Sequence, residues 1–451
     1  MSPRNWLLVV LLVALLLAAA PAFAARPAKE DGNPGRWAFG RLRAGAAALT
    51  ITPEWPVWLG GWGENRRSEG VHDNVWARAL YLTDGRTELT LVALDLVGLM
   101  KLDQQVILDA VAAEVGPNVL INNSHTHSGP DVIGLWGPDE TTPGWDANYI
   151  AYVQQRTITA ILLAKQNARP ACLYFGSAQT TPDDHIAVNW NDPATQDREV
   201  SVIRVAARVD EPGPLGATIA TIFNFACHPE VAGGNHQDMS VWKYISSDYV
   251  HYARTEVEEN GGGIAIFLQG ALGAMVSPDE TPAERNWVTA ERIGRALGRR
   301  VLEAVAGSTL ERNPRLSCVT RNMNIPLHNE YLYMAMNLGI VRSGPGRLAP
   351  NADSPLGVGV LTRVSAARIG DLQLATAPGE PYPRLGLHIK DSILTASHKM
   401  MLGLTHDELG YIMYADDYGT DNYAYETSMS VGPTIAEDIQ AELQQAVSEL
   451  E

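Results

Sequence analysis

The sequence is short of positive charge: its 451 residues include 34 Lys and Arg against 51 Asp and Glu, a formal net charge of −17. Nucleic-acid binding needs clustered basic side chains to neutralise phosphates, so this balance argues against DNA or RNA as a partner. Cysteine is also scarce, with only Cys172, Cys227 and Cys318. Three cysteines cannot cross-link a chain of this length, which excludes a disulfide framework and leaves at least one thiol free. Cys227 lies in an apolar run and is predicted to be a small buried side chain.

Long apolar runs are absent except at the N-terminus, where residues 6–20 are mainly Leu, Val and Ala. Arg4 precedes this run and Ala22-Phe23-Ala24 ends it, which is typical of a secretory signal peptide cleaved after Ala24. The run is short for a transmembrane helix, which needs about 20 apolar residues. We predict a signal peptide at residues 1–24, a linker at residues 25–41, and an exported mature chain, periplasmic or secreted, with no stable membrane span.

The remaining chain has the composition of an ordinary globular protein, with 46% hydrophobic and 19% charged residues, and it shows no repeats or heptads. Apolar runs typical of buried strands alternate with stretches of helical periodicity. This alternation predicts an α/β fold in which central β-sheets are covered by helices. Strands are predicted at residues 89–96, 119–122, 200–205, 218–225, 264–268 and 372–375, and helices at residues 102–115 and 149–165. In the first of these helices Val106 is placed on the apolar side.

The last segment predicts a helix that packs on the core. Thr434 is placed as its N-cap with Glu437 three residues later, the pattern of a capping box. Ile435, Ile439, Leu443 and Val447 then form one apolar stripe at helical spacing, as expected for a structural docking helix.

Four predicted strands end in the same way, in polar or glycine-rich sequence. They run into residues 124–130, 227–230, 269–273 and 378–381, and α/β sheets place their ligands at such C-terminal strand ends. Two histidines, His125 and His228, and the carboxylate of Glu380 thus arrive from three separate strands. Catalytic zinc commonly takes three His, Glu or Asp ligands and lowers the pKa of bound water. The pattern alone leaves open a metal site or a cluster of hydrogen-bonded polar residues.

In these segments the chain resembles the neutral (alkaline, non-lysosomal) ceramidases. The most specific match is His125-Thr-His-Ser-Gly-Pro130, and the others follow in the family's order. They are residues 48–53 (ALTITP), 60–63 (GGWG), 71–79 (VHDNVWARA), 91–95 (LVALD), 225–229 (FACHP), 378–380 (PGE) and 403–433. The resemblance spans about residues 42–435. It implies a catalytic domain over residues 42–451, with none of the C-terminal immunoglobulin-like domain that the family carries.

The resemblance also implies one catalytic zinc ion and assigns its ligands. These would be His125, His228, Glu380 and Tyr411, of which Tyr411 depends on the resemblance alone. His127 falls on a histidine that contacts the reacting centre. Tyr423 or Tyr425, ambiguous by two residues, falls near a tyrosine that polarises the substrate carbonyl, and Tyr423 is our first choice.

The sequence departs from the family at two places near the metal. A Gly-Asp-Met-Ser-Pro stretch becomes Gly273-Ala-Met-Val-Ser-Pro278, which leaves Ser277 as the candidate catalytic serine, displaced by one residue. An arginine of the family is replaced around residues 189–191. We therefore expect the zinc chemistry to be retained and leave ceramide open as the substrate.

Together these features predict an exported zinc-dependent amidohydrolase of lipid metabolism. It would cleave the amide bond of a small-molecule or lipid N-acyl substrate, ceramide or a ceramide-like sphingolipid, with metal-activated water. Two alternatives remain: a zinc esterase or other hydrolase with a non-ceramide substrate, and a non-catalytic exported binding protein that retains the metal site. The sequence does not predict an oligomeric state.

Overall fold

The computed structural model describes residues 42–208, 216–278, 281, 283–312 and 314–450. The predicted signal peptide and linker lie outside these residues. Twenty strands occur in the described ranges: β1 Arg43–Thr50, β2 Gly70–Val71, β3 Trp76–Thr83, β4 Glu88–Leu94, β5 Val119–Asn123, β6 Arg169–Gln179, β7 Val188–Asn189, β8 Glu199–Ala207, β9 Thr218–Phe225, β10 Tyr244–Ile245, β11 Ile264–Gln269, β12 Met275–Val276, β13 Thr309–Leu310, β14 Leu316–Pro326, β15 Leu348–Pro350, β16 Val358–Ile369, β17 Leu372–Thr376, β18 Glu380–Pro381, β19 His398–Leu402 and β20 Tyr411–Ile412.

The same residues contain nine α-helices. They are α1 Lys101–Val115, α2 Ala147–Gln166, α3 Met239–Trp242, α4 Tyr249–Glu259, α5 Trp287–Ala306, α6 Glu330–Asn337, α7 Pro383–His388, α8 Ala424–Ser428 and α9 Ile435–Ser448. Short 3₁₀ turns occur at Pro182–Asp184 and Asp421–Tyr423, and a π-turn at Ile389–Ile393 follows α7. None of the described helices is both long enough and apolar enough to cross a membrane.

Two mixed sheets form the centre of the described structure. The larger has the order β11-β9-β8-β6-β1-β3-β4-β5, with β13 paired to β6, and the smaller has the order β14-β16-β17-β19, with β15 paired to β16. Most neighbouring strands are antiparallel, but β4 and β5, β9 and β11, and β17 and β19 are parallel pairs. The expected α/β fold with helix-covered sheets is therefore confirmed.

The alternation of side chains along each strand explains why the sheets pack as layers. On β19, Met400 and Leu402 join a core shared with the larger sheet, whereas Met401 faces a second core that includes residues of α6, α7 and α9. Successive side chains of a strand point to opposite faces, so one strand serves both cores. The outer face of the larger sheet is covered by α1 and α2 in one cluster and by α4 and α5 in another.

Two buried asparagines join the strand ends of the two sheets. Asn122 on β5 accepts from Gln269 N of β11 at 2.8 Å and donates to Gly403 O just beyond β19 at 2.6 Å. Asn224 on β9 donates to Leu268 O at 2.8 Å and to Met401 O at 3.1 Å. Buried amide groups need such partners, so these bonds fix the carboxyl ends of strands from both sheets close together.

Most element predictions are confirmed within two residues, and two details are wrong. Thr434 occupies the N-cap position of α9 as predicted, but the capping box is not formed: its backbone (φ −99°, ψ 1°) is not in the extended region usual for an N-cap, and its hydroxyl bonds to Asp438 instead of a backbone amide. Val106, assigned to the apolar side of α1, is 47% exposed. Cys227 is buried as predicted, and all three cysteines, which lie in the described ranges, are free thiols.

The docking helix gives a prediction about stability. Leu443 of α9 is fully buried in the core beside the smaller sheet. We expect Leu443→Ala to lower the free energy of unfolding by about 2–5 kcal/mol, because it removes buried apolar surface and leaves a cavity. The neighbouring exposed Gln444→Ala should change it by less than about 0.5 kcal/mol. Urea unfolding of the two variants measures the difference, and equal stabilities would contradict the assigned packing.

Candidate active site

The first candidate ligand lies directly beyond β5 and has an unusual backbone. His125 has φ 68°, the left-handed region, which costs a non-glycine residue roughly 1–2 kcal/mol. Its amide donates to Leu96 O at 2.9 Å, and its Nδ1 donates to Val97 O. These two bonds to the segment after β4 hold the strained turn and fix the orientation of the imidazole ring. Backbone strain of this kind is common where a side chain must be aimed at a functional site.

Two histidines and one glutamate converge at the ends of β5, β9 and β17. His228 Nε2 lies 3.1 Å from Glu380 Oε2, and His125 Nε2 lies 3.5 Å from the same oxygen. The two imidazole ring centres are 4.9 Å apart. All three side chains are at least nine-tenths buried. Residues separated by more than 100 positions in the sequence thus direct three ligand-type atoms at one point.

The hydrogen bond that Nδ1 of each histidine makes shows which ring nitrogen faces Glu380 and which one carries a proton. His228 Nδ1 faces Met275 O at 2.9 Å, as His125 Nδ1 faces Val97 O. A carbonyl oxygen only accepts, so each Nδ1 carries a proton, and either ring in its neutral form presents the lone pair of Nε2. With both rings neutral, two nitrogen lone pairs and a carboxylate oxygen face one another, an arrangement that a shared cation or an added proton must balance. Backbone carbonyls that fix the tautomer are typical of metal-binding histidines.

The spacing of these atoms fits zinc. Ligand atoms that lie about 2.0–2.2 Å from a tetrahedral zinc ion are roughly 3.3–3.6 Å from one another. Of the observed separations from Glu380 Oε2, 3.5 Å lies within this range and 3.1 Å is slightly below it. Three protein ligands of His and Glu type also leave room for a fourth ligand or water. The donor set is therefore suitable for a catalytic zinc ion.

Burial and mutual attraction shift the pKa values of the three groups. Burial lowers the pKa of His125 to about 4 despite the nearby Glu380 carboxylate. Burial also acts to lower the pKa of His228, but its hydrogen bond to Glu380 outweighs burial and leaves that pKa raised. For Glu380, burial acts to raise the pKa, and His125 together with His228 brings it below its usual value. Glu380 is therefore ionised at neutral pH, as a metal ligand must be.

Tyr411 reaches the same carboxylate from the neighbouring strand. β18 and β20 are parallel, with Glu380 opposite Tyr411, and the Tyr411 hydroxyl hydrogen-bonds to the Glu380 side chain. Burial raises the pKa of Tyr411 well above its usual value, and the charge of Glu380 adds to this shift. Tyr411 is therefore a neutral donor to Glu380 in this arrangement. Its role as the fourth ligand remains a prediction.

His127 belongs to the same cluster but makes different contacts. Its ring centre lies 4.8 Å from that of His125 and 5.5 Å from that of His228, and the three histidines could together hold a metal ion. Its buried Nδ1 has no hydrogen-bond partner among the described residues, and Glu230 Oε2 is 3.8 Å away. Burial, followed by the other two histidines, lowers its pKa well below the usual value. His127 is therefore a neutral imidazole with one nitrogen unused.

Gly61 is required beside His127. It has φ 95°, and a Cβ atom there would lie 2.3 Å from the His127 ring. Only glycine tolerates both the backbone conformation and this close approach. The second glycine of the GGWG segment thus makes room for the histidine.

A cavity opens above these side chains, and its empty space, including the part open to solvent, is about 660 Å³. His125, His127, Glu380 and Tyr411 form its polar end, and most of the remaining wall is apolar. The apolar residues are Met100, Ile133, Leu135, Trp136, Leu332, Met336, Val341, Leu409, Met429 and Val431. An apolar cavity with a few convergent polar groups is the usual form of a small-molecule site.

No protein-family model matches this chain, and no curated protein matches it at a significant level. Solved structures do resemble it. The crystal structure of neutral ceramidase from Pseudomonas aeruginosa superposes with a TM-score of 0.71 at 17% identity, covering 90% of this chain and 74% of that one. A ceramidase complexed with C2 gives a TM-score of 0.72 at 18% identity, with 91% and 75% coverage.

The chain has the neutral ceramidase fold. Identities of 17 and 18% establish the fold and leave the activity to be argued from the site. The resemblance first noted in residues 125–130 and the segments around them is confirmed at the level of the fold. The neutral ceramidase fold here places the predicted residues His125, His228, Glu380 and Tyr411 together, with His127 beside them.

Two of the predicted catalytic residues lie elsewhere in this neutral ceramidase fold. Tyr425 forms part of the cavity wall, with its ring 6.0 Å from that of Tyr411, whereas Tyr423 packs against Tyr382 and is not among the lining residues. Ser277 is buried after β12 and does not line the cavity either. Their catalytic roles remain predictions, and the geometry favours Tyr425 over Tyr423.

Sequence reasoning missed Glu408, a second carboxyl in the cavity wall. It is buried, and burial raises its pKa well above the usual value, with the nearby Glu380 adding to the shift. Glu408 could have been located from β19, the strand that precedes it. β19 was not predicted as a strand, although it too is followed by polar residues. Had residues 398–402 been recognised as a strand parallel to β17, residues 405–408 would have been placed at the same edge.

Proposed function

We propose that the protein is a zinc-dependent hydrolase that cleaves the amide bond of an N-acyl lipid of ceramide type. The observation that carries this proposal is the convergence of His125 Nε2, His228 Nε2 and Glu380 Oε2 at the polar end of a largely apolar cavity. Likeness in fold to two solved ceramidases supports the same reaction class.

The cavity supports a lipid rather than a polar substrate. Its wall carries ten apolar side chains, so a hydrocarbon chain would gain about 25 cal/mol for each Å² of apolar surface that it buries there. An acyl chain in this space would direct its carbonyl towards the cluster of polar groups. The amine portion of the substrate would then extend towards the exposed Tyr425.

In this proposal His125, His228 and Glu380 hold the metal, with Tyr411 as the fourth ligand. Zinc, when bound, would lower the pKa of a water molecule and polarise the substrate carbonyl. His127 is neutral and has an unused ring nitrogen, so it can take up a proton and return it to the leaving amine. The Tyr425 hydroxyl would donate a hydrogen bond to the carbonyl oxygen as negative charge develops there.

The proposal extends to the organisation of the chain. Residues 42–451 would form the catalytic domain, and residues 1–24 would direct export to the periplasm or the medium. Ser277 would contribute from its position after β12, whose Met275 carbonyl orients His228.

Hydrolysis of matched amide and ester substrates tests the proposal. Mature protein supplied with one equivalent of zinc would be incubated with an N-acyl sphingoid amide and with the O-acyl ester of the same acyl chain, and products measured by mass spectrometry. We expect free fatty acid and free amine from the amide, and loss of this activity on chelation. Cleavage of the ester alone would favour an esterase. Firm zinc binding without hydrolysis of either would favour a non-catalytic binding protein.

Tyr425 and Tyr423 provide a matched pair of variants. We expect Tyr425→Phe to lower kcat by about 10²-fold, since removal of one oxyanion donor commonly costs about 10²–10³ in kcat. Tyr423→Phe should leave kcat within about twofold, because its ring packs on Tyr382 outside the cavity. Steady-state kinetics on the amide substrate measures both. A large loss in Tyr423→Phe alone would reverse the assignment.

A further inference from the structure

The Glu408 carboxyl is partly unpaired inside the cavity. Glu408 is 8% exposed and lines the wall between β19 and β20. Its Oε1 accepts from Gly410 N at 2.8 Å, whereas its Oε2 is buried with no hydrogen-bond partner among the described residues. The side chain packs closely on Gly98, where an added Cβ atom would lie 2.9 Å from Glu408 Cγ. It is therefore held in place against the cavity.

A buried polar atom without a partner is costly, by about 1–3 kcal/mol in protein mutational data. Buried polar groups in native proteins almost always have a partner, so the partner of Oε2 is expected to come from the cavity. The apolar residues that line the same cavity, such as Leu409 and Met100, offer none. A group on the bound ligand is the partner that this geometry accommodates.

We propose that Glu408 is a specificity-determining residue that binds a hydroxyl group of the substrate close to the scissile carbonyl. The inference rests on the proposed function, because it places the substrate in the cavity with its carbonyl near Glu380. A hydroxyl fits better than an ammonium group, since an ammonium ion would lose its hydration among largely apolar walls. The hydroxyl can be on the acyl-chain carbon next to the carbonyl or on the amine portion of the substrate. In both cases it would make the same hydrogen bond to Glu408.

Binding of four ketone analogues distinguishes these two sources. In each analogue a CH₂ group replaces the amide N–H, so it is not hydrolysed and binding is separated from turnover. One analogue has no hydroxyl, one has it on the acyl side, one on the amine side and one on both. Calorimetric titration of the zinc-loaded protein gives the Kd of each, and wild-type protein should bind one of the two singly hydroxylated analogues about tenfold more tightly than the plain one.

Two substitutions of Glu408 test whether this side chain is the cause. In Glu408→Leu the analogues with and without the hydroxyl should bind with about equal Kd. In Glu408→Gln, which keeps a hydrogen-bonding group, part of the preference for the hydroxyl should remain. Glu437→Gln, at an exposed position of α9, serves as the control and should keep the full preference. Equal binding of all four analogues by wild-type protein, or an unchanged preference in Glu408→Leu, would overturn the inference.

The outcomes separate this inference from the proposed function. A hydroxyl preference that depends on Glu408, in a protein that hydrolyses no amide, would support the binding role and contradict the enzyme assignment. Amide hydrolysis without any hydroxyl preference would contradict the role of Glu408 alone.

Discussion

The His125→Ala variant is expected to lose bound zinc and hydrolytic activity together. His125 contributes one of two imidazole Nε2 atoms at the site, and its tautomer is fixed by the bond from Nδ1 to Val97 O. Removing it leaves His228 and Glu380, with Tyr411 as the remaining neutral hydroxyl. Two ligands and a neutral tyrosine do not complete the coordination that catalytic zinc requires. Activity should fall to the rate of the uncatalysed reaction, and zinc content to less than about one tenth.

A surface histidine provides the control for this variant. His236 is exposed and lies outside the cavity, so His236→Ala should keep both zinc and activity. Circular dichroism and thermal unfolding of both variants would establish that each is folded. Full zinc content with retained turnover in His125→Ala would contradict the ligand assignment.

The His127→Ala variant should separate metal binding from catalysis. His127 is neutral and close to the other two histidines, but none of its described contacts is to Glu380. We expect zinc content to stay near that of wild type while kcat falls by about 10²–10⁴, the usual contribution of a general acid and base. Elemental analysis and steady-state kinetics on the same preparation give the two values.

Loss of zinc from His127→Ala would instead indicate that His127 is a metal ligand. The ligand atoms of His125, His127 and His228 all lie within 4.8 Å of one another, so a three-histidine site is the alternative ligand set. In that case Glu380 would act on the substrate rather than on the metal. The two arrangements therefore predict opposite zinc contents for this one variant.

The strand ends could be predicted from the sequence because each carries a strong local signal. An apolar run followed by His125 or His228 indicates both a buried strand and a polar group at its end. That the strands meet is not a local property. It depends on side-chain bonds such as Asn122 to Gln269 and Gly403, which join residues more than 140 positions apart. No periodicity in the sequence reports such contacts.

Other parts of the site escaped prediction for identifiable physical reasons. Tyr423 and Tyr425 differ by only two positions, and a 3₁₀ turn ending at Tyr423 followed directly by α8 decides which ring reaches the cavity. Glu408 follows β19, which begins with His398 and Lys399 and therefore lacks the apolar start of the strands that were predicted. At the N-cap residue Thr434 the backbone conformation, which the sequence does not specify, prevents the expected capping box.

The most direct test of the account is the zinc content of purified mature protein by elemental analysis, with Glu380→Ala and Glu230→Ala measured beside it. Glu230 is a matched control, because it is also a buried carboxyl close to the histidines but faces His127 and Arg285. We predict about one zinc per chain in wild type and Glu230→Ala, and almost none in Glu380→Ala. No zinc in the wild-type protein, or zinc content unchanged in Glu380→Ala, would contradict the central claim that His125, His228 and Glu380 form a zinc site.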